Sequence, residues 1–544
     1  MEKPDDIMIE DAARTDELHY LADSNAKPSD QAHAAASAAA HEQSMGLIAS
    51  ARLYPKAIMF SMIMSLGIVM EGYDTSLLGS FYAQPAFQLK FGKNIAADGT
   101  HQVSAPWQAG LSNGANVGEI LGLLLAGLLA DRYGYRKTLL GALIMLVGAI
   151  FICFFAVNLG MLLAGEICCG IPWGAFQTLT TTYAADVAPI HLRPALTSYV
   201  NLCWVAGQLI ASGVLQGIVG NTTQWGWRIP YAVQWAWPVP IFIGILFAPE
   251  SPWWLVRNGR IDEARAALLS LTSRKHQSFN PDEVIALIQH TNEYEKRVSA
   301  GTSYLDCFRG VDGRRTEIAC MTWISQVTCG IWFGGNITYF LEQAGFNPKK
   351  SFAFGTGENA LGFCATIASW AVMTRFGRRT LFVTGMGVLF TVLLIIGFLG
   401  IPEVTSAIGY TQAACLMIYV LTYDLTVGPT VYAIVAEMPS TRLRVKTVVL
   451  ARNCYNIASI CANELNAPIL NPTAWNLRGK GGFVWCGFTF ISFVWAFFRL
   501  PEAKGRSAEE LDVLFAQGVP ARKFSSTRVE AFTENVTDAT IVAQ

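Results

Sequence analysis

Long apolar runs separated by short polar joints make up most of this chain. They fall at about 57–82, 107–130, 138–157, 159–183, 197–219 and 231–248, then at about 318–341, 352–373, 380–400, 409–436, 446–469 and 482–499. Each is close to the roughly 20 residues that an α-helix needs to cross a bilayer. The pattern therefore predicts an all-α membrane protein of twelve transmembrane helices, six on either side of a polar stretch from Ser251 to about Arg315 that carries ten Lys or Arg residues. The expected organisation is a disordered tail (1–50), a first six-helix half (51–250), a linker with intracellular helices (251–316), a second half (317–500) and a C-terminal tail (501–544). Within the linker, Ile261, Ala264, Leu268 and Leu269 recur near helical spacing, which suits a helix bracing the membrane bundle.

Composition narrows the class. Of 544 residues 52% are hydrophobic and only 15% charged, against about 25% charged in soluble domains, and the net charge of -1 gives no basic surface for nucleic acid. Most of the 12 cysteines sit inside apolar runs, as Cys153, Cys168, Cys169, Cys203 and Cys461 do, and are read as small buried hydrophobes. No metal-ligand spacing, nucleophile–base pair or phosphate loop stands out, so no metal, cofactor or enzyme activity is expected. The first fifty residues lack a basic segment followed by a short apolar core, and no cleaved signal peptide is expected.

Cations set the orientation. Arg132, Arg136, Lys137, Arg193, the linker, Arg375, Arg378, Arg379, Arg442, Arg444 and Lys446 share one side, which the positive-inside rule assigns to the cytoplasm together with both termini. Lys90, Lys93, Arg228, Lys349, Lys350, Arg478 and Lys480 fall on the other side, where Trp225, Trp227, Trp235 and Trp237 form an aromatic belt and Asn221-Thr222-Thr223 is a glycosylation sequon.

The two halves echo each other. Asp186 to Arg193 is repeated by Glu437 to Arg444, Pro249-Glu250 by Pro501-Glu502, and Asp131-Arg132-Tyr133-Gly134-Tyr135-Arg136-Lys137 by Thr374-Arg375-Phe376-Gly377-Arg378-Arg379, at offsets of 251, 252 and 243 residues. Parallel repeats of this kind place a solute site at the midplane, where the halves face each other. The charges stranded in apolar runs matter most. Glu71, Asp74, Glu119, Glu166, Asp424 and Glu464 are such acids, opposed most clearly by Arg452. An acid near a helix centre costs on the order of 3 kcal/mol on insertion scales. Glu71 and Asp74, three residues apart, share a helix face and can share a proton, a cation or a polar solute. Glu119 lies beside Gly114, Gly118 and Gly122, a stripe suited to close helix packing, so a structural hydrogen bond is as good a reading there. Asp424 and Glu464 stay open.

Several motifs in order carry a family resemblance. Gly72-Tyr73-Asp74, the Asp131 loop, Pro249-Glu250-Ser251-Pro252, Gly428-Pro429 and Pro501-Glu502-x-Lys504-Gly505-Arg506 resemble the sugar porters of the major facilitator superfamily over about residues 55–517. Met70-Glu71-Gly72-Tyr73-Asp74, Cys169-Gly170-Ile171-Pro172-Trp173-Gly174 and Trp225-Gly226-Trp227-Arg228-Ile229-Pro230 are similar to fungal alpha-glucoside (maltose-type) proton symporters. The resemblance implies proton-coupled import of such a sugar by alternating access, in a monomer of the plasma membrane.

It also implies roles for residues. Asp131, Arg132, Arg136, Asp186, Arg193, Glu250, Arg375, Arg379, Glu437, Arg444 and Glu502 would form a cytoplasmic gate, pairing across the halves when the cavity faces outward. Sugar porters have an Arg after the Gly of the fourth span, where this chain reads Gly165-Glu166. Glu71, Asp74 and Glu166 would then crowd like charges, so that at least one holds a proton, with Arg452 answering from the second half. Asn201, Gln208, Gln326, Trp332, Asn336, Tyr432, Tyr455 and Asn456 are the expected sugar contacts, offering amides to hydroxyl pairs and aromatic faces to pyranose rings. Departures at Val327, Trp332 and Tyr432 suit a disaccharide better than a hexose. Two other readings are an exporter of a fungal secondary metabolite and a non-transporting sugar sensor, the latter expected to carry a longer tail than the one after Pro501.

Overall fold

The computed structural model describes residues 47–527 apart from 97–98, 190–191, 274–279, 300–302, 403–404, 441, 505 and 507. The tails expected at 1–46 and beyond Thr527, and the linker cations Arg274 and Lys275, lie outside the described residues.

Among the described residues, twelve helices match the expected spans in chain order. The first half holds α1 (Pro55–Phe81), α2 (Ala105–Tyr133), α3 (Tyr135–Phe154), α4 (Leu159–Val187), α5 (Arg193–Ile218) and α6 (Trp225–Phe247). The second half holds α7 (Gly310–Thr328), α8 (Pro348–Arg375), α9 (Arg378–Leu399), α10 (Ser406–Glu437), α11 (Arg444–Leu470) and α12 (Gly481–Arg499). Local signals explain several starts: Asn158 caps α4 by accepting from the Met161 N–H at 2.8 Å, and Asn347 caps α8, whose first residue is Pro348. A two-stranded antiparallel ribbon, β1 (Asn94–Ile95) with β2 (His101–Gln102), adds to the helices between α1 and α2.

Among the described residues, nine of the twelve helices are long and apolar enough by themselves to cross a membrane, and the three that fall short are α7, α8 and α11. The reason is polarity or breakage. α11 carries Arg452, Glu464 and four asparagines between Asn453 and Asn466. α7 ends at Thr328 and continues only after Gly330, whose φ of 91° suits glycine, as short helices Ile331–Gly334 and Ile337–Gln343.

In the first half, backbones meet directly. A Cβ on Gly72 of α1 would lie 2.0 Å from the Trp204 carbonyl oxygen of α5, and one on Gly118 of α2 would lie 2.3 Å from that of Ile167 in α4. Small residues let the helices approach this closely where lipid supplies no hydrophobic drive.

At the linker end the repeated motifs build the same clasp twice. The Glu250 carboxylate accepts from the Tyr135 and Arg136 N–H groups at the start of α3, at 3.0 and 3.3 Å, and the Glu502 carboxylate accepts from the Arg378 N–H at the start of α9 at 2.8 Å. Gly134 and Gly377 make room, since a Cβ would fall 2.4 Å from Glu250 Oε2 and 2.0 Å from Glu502 Oε2. Burial pushes the Glu250 carboxyl up from its ordinary range, and the backbone donors offset part of that.

The linker folds into Pro252–Arg257, Ile261–Leu271 and Pro281–Ser299. Its middle helix buries Ala264, Ala267, Leu268 and Leu271 and leaves Leu269 exposed, a correction to the expected face, because Ala267 and Leu271 share the arc of Ala264 and Leu268. After α12 a helix at Ala508–Ala516 is held by Arg315, a buried guanidinium that bonds the Met438 carbonyl at 2.7 Å and pairs with Asp512.

Candidate functional site

A cavity of about 1650 Å³ lies between the halves and runs from Tyr339 and Leu470 at one end to Arg193, Arg444 and Lys504 at the linker end. At the end away from the linker, hydrogen bonds tie the halves together. Gln88 Nε2 donates to Glu342 Oε1 at 2.8 Å, Gln108 Nε2 to the Tyr339 hydroxyl at 3.1 Å, Asn113 Nδ2 to Glu464 Oε1 at 2.9 Å and Asn471 Nδ2 to the Val103 carbonyl at 2.7 Å. Glu464, left open by the sequence, is thus part of this seal.

At the linker end, several bonds of the expected gate residues lie within a half. Ser251 donates to Asp186 at 2.6 Å, Arg193 to the Ala188 carbonyl at 3.0 Å, Arg136 to the Leu246 carbonyl and Arg379 to the Phe497 carbonyl at 2.8 Å. Glu437 pairs with Arg378 at 3.0 Å rather than with Arg375, which is exposed, as are Asp131 and Arg132. Arg193, Arg378, Glu437 and Arg444 line the mouth of the cavity.

The acids form two groups, not one. Glu71 and Asp74 both line the cavity. Three residues apart, they diverge by about 60° around the helix axis and so meet different neighbours. Asp74 accepts from Gln234 of α6, and behind it the fully buried Glu166 accepts from the Tyr231 hydroxyl at 2.9 Å. Glu166 is not among the cavity-lining residues, which corrects the expectation of a three-acid cluster in the cavity. Glu71 instead shares its surroundings with Glu119 of α2: the Gln177 amide of α4 donates to Glu71, and to Glu119 Oε2 at 3.4 Å.

Arg452 does not answer these acids directly. Its Nη2 donates to Gln177 Oε1 at 2.5 Å, while its guanidinium lies 4.9 Å from the Trp323 ring centroid and 4.4 Å from that of Tyr455. Trp323 meets Tyr432 and Tyr455 edge-on at 5.0 and 5.2 Å. Arg452, three aromatic rings, an amide and two carboxylates therefore make one continuous assembly across the halves.

Of the expected sugar contacts, Asn201, Gln326, Trp332, Asn336, Tyr432 and Tyr455 line the cavity. Gln208 and Asn456 do not. Gln208 lies seven residues beyond Asn201, about 10 Å further along α5, and Asn456 is fully buried next to the lining Tyr455. Sequence reasoning missed Gln177, Trp323 and Glu358. Gln177 opens a polar run, Gln177-Thr178-Leu179-Thr180-Thr181-Thr182, inside an apolar helix, and Trp323 lies one turn before Gln326. The buried Glu358 of α8 stands beside the break after α7, where neighbouring Gly355 packs on Ile337 and Thr338, and its Oε1 has no hydrogen-bond partner among the described residues. Asp424 lines the cavity from a π-helical turn, Tyr423–Val427, packed so tightly on α8 that a Cβ at Gly362 would lie 2.5 Å from its Oδ2.

Two repeated six-helix halves around a cavity lined by stranded acids define a multi-pass solute transporter of the major facilitator fold. Residues 60–515 match the family described as sugar (and other) transporter, and the chain belongs to that family. It is 42% identical over 501 residues to an alpha-glucosides permease of Saccharomyces cerevisiae, covering 90% of this chain and 82% of the relative. To a maltose permease of the same yeast it is 41% identical over 500 residues, covering 90% and 81%. The inward-open conformation of the xylose transporter XylE from E. coli shares the fold, with a TM-score of 0.68 at 19% identity over 84% of this chain and 99% of that one.

Proposed function

We propose that this sugar transporter imports an alpha-glucoside such as maltose together with a proton, by alternating access across the plasma membrane, with both termini and the linker in the cytoplasm. The observation that carries the reading is that Glu71, Asp74 and Glu119 from one half and a single guanidinium, Arg452, from the other all line the same cavity. Three carboxylates facing one cation in a low-dielectric site favour uptake of a proton, and a proton moving inward contributes about 2.3 kcal/mol per 100 mV of membrane potential. The yeast relatives are permeases of alpha-glucosides and of maltose, which supports the solute class. Trp323, Tyr432 and Tyr455 supply ring faces, and Asn201, Gln326 and Asn336 supply amides, for a pyranose pair.

On this orientation the described conformation faces inward: its cavity reaches the cytoplasmic mouth, and the halves are hydrogen-bonded together at the outer end. Arg193 from the first half and Arg378, Glu437 and Arg444 from the second, which line that mouth, are then gate residues. In the outward-facing state they approach and pair across the mouth.

The test is accumulation of labelled maltose in a transporter-deficient host under an imposed proton gradient. Uphill uptake that collapses with a protonophore, and that is lost when Glu71, Asp74 and Glu119 are all made neutral amides, is the expected result. Uphill uptake surviving that triple change removes the proton assignment. Absence of any uphill uptake by the parent, with export or binding alone remaining, favours the exporter or sensor.

A further inference from the structure

We propose that Gln177 is the positioning residue that links Arg452 to the acid pair Glu71 and Glu119, so that the sugar-loaded halves let go of each other only after that pair has taken up a proton. This rests on the proton-coupled reading above.

The geometry leaves the amide little choice. Gln177 Nε2 faces Glu71 and, at 3.4 Å, Glu119, while its Oε1 receives Arg452 Nη2 at 2.5 Å. Flipping the amide would set its N–H donors against a guanidinium, which has only donors, and its oxygen against carboxylates. A donor on one side and an acceptor on the other is what joins an anion in one half to a cation in the other. Arg452 is seated between Trp323 and Tyr455, and its link to the first-half acids runs through the amide.

Charge-assisted bonds at both ends of one amide polarise each other. With Glu71 ionised, the chain from Arg452 through Gln177 to Glu71 is at its strongest and ties α11 to α4 and α1. Glu71 Oε2 is buried without a partner, which leaves that oxygen to receive the proton. Once it does, the N–H donor of Gln177 faces a neutral acid and the Arg452 bond weakens with it. The proton arrives from water on one side, sits on Glu71 Oε2 and leaves from the same atom to the other side; no other bond is made or broken. The charged and titratable groups around this chain are Glu71 and, one turn on, Asp74 from α1, Glu119 from α2, Glu166 from α4 behind Asp74, Tyr432 from α10, and Arg452 with Tyr455 from α11.

The test uses the full chain in liposomes and labelled maltose. Two quantities are read: accumulation driven by an imposed pH gradient, and exchange with equal sugar on both sides, followed on either side of neutral pH. Gln177→Met keeps the length and removes the amide. Gln177→Glu keeps an acceptor for Arg452 and loses the donor to Glu71. For both, the ratio of accumulation to exchange should fall about tenfold or more, and the pH dependence of exchange should flatten. A mere packing defect lowers both rates together and leaves the ratio and the pH profile alone. The parent's ratio and profile in either variant overturns the proposal, and the Glu variant carries the test if the Met variant does not fold. If the Glu71, Asp74 and Glu119 triple variant loses accumulation while Gln177→Met retains it, the relay alone is wrong. If the triple variant also accumulates, the proton reading falls with it.

Discussion

The two halves share a topology and differ in how they are held. In the first half, α1 meets α5 and α2 meets α4 through glycines that touch backbone: Gly72 against Trp204, Gly118 against Ile167, Gly174 against Glu119. In the second, the glycines of α8 and α9 mostly meet side chains: Gly355 meets Thr338, Gly362 meets Asp424 and Gly385 meets Thr426, although Gly482 still meets the Leu393 carbonyl at 2.7 Å. Backbone cannot step aside, whereas a side chain can turn. The first half is therefore the stiffer one. The half with the interrupted α7, the π turn in α10 and the aromatic seat of Arg452 has the parts that can rearrange around a sugar.

The largest effect should come from breaking the stiff contact. Gly72→Val puts side-chain carbons where the Trp204 carbonyl stands, and no folded protein should be recovered by size-exclusion chromatography. Gly385→Ala meets side-chain atoms of Thr426 and Val427, at 2.2 to 3.0 Å, rather than backbone, and should be recovered in larger yield than Gly72→Val. Comparable losses from both changes would erase the contrast.

Next is Arg452→Leu. It leaves Gln177 and two carboxylates without their cation, a defect worth about 3 to 5 kcal/mol for a buried partner, and maltose uptake should fall by about a hundredfold or more. Gln177→Leu should be milder, because the cation stays.

A smaller effect is expected at the α7 break. Glu358→Ala empties a buried polar position against the segment that carries Asn336 and Tyr339, and should raise the KM for uptake by loosening that segment. Glu358→Gln keeps an acceptor and should restore most of it. Equal KM values for the two variants would remove Glu358 from the account.

The smallest is at the surface. Asn221→Gln deletes the sequon between α5 and α6, where the Asn221 side-chain oxygen accepts from the Thr223 N–H and hydroxyl. A glycan there would be lost as a mobility shift on a gel, with uptake changed by less than about twofold; an unchanged mobility says the site is unused.

Helix number, the six-plus-six repeat and the identity of the stranded acids were legible because apolar length and motif offsets are properties of the chain alone. Spacing along one helix also revealed that Glu71 and Asp74 look roughly the same way. It could not reveal what each one meets. Glu119, which the glycine stripe made as easily structural, joins Glu71, while Glu166, singled out because it replaces an expected Arg, turns behind Asp74 to Tyr231. Gln177 passed unnoticed because the polar run it opens does not say what its amide will meet. Its meaning comes from two carboxylates and a guanidinium that arrive on three other helices.

Sequence by itself thus determined the crossing helices, their pairing into halves and the buried charges, since each follows from local composition and period. Tertiary structure alone decided which acids face the cavity, that an amide stands between cation and anions, and which end is closed. Those outcomes depend on how each helix is rotated about its axis and against which partner it lies, and helical periodicity leaves both free.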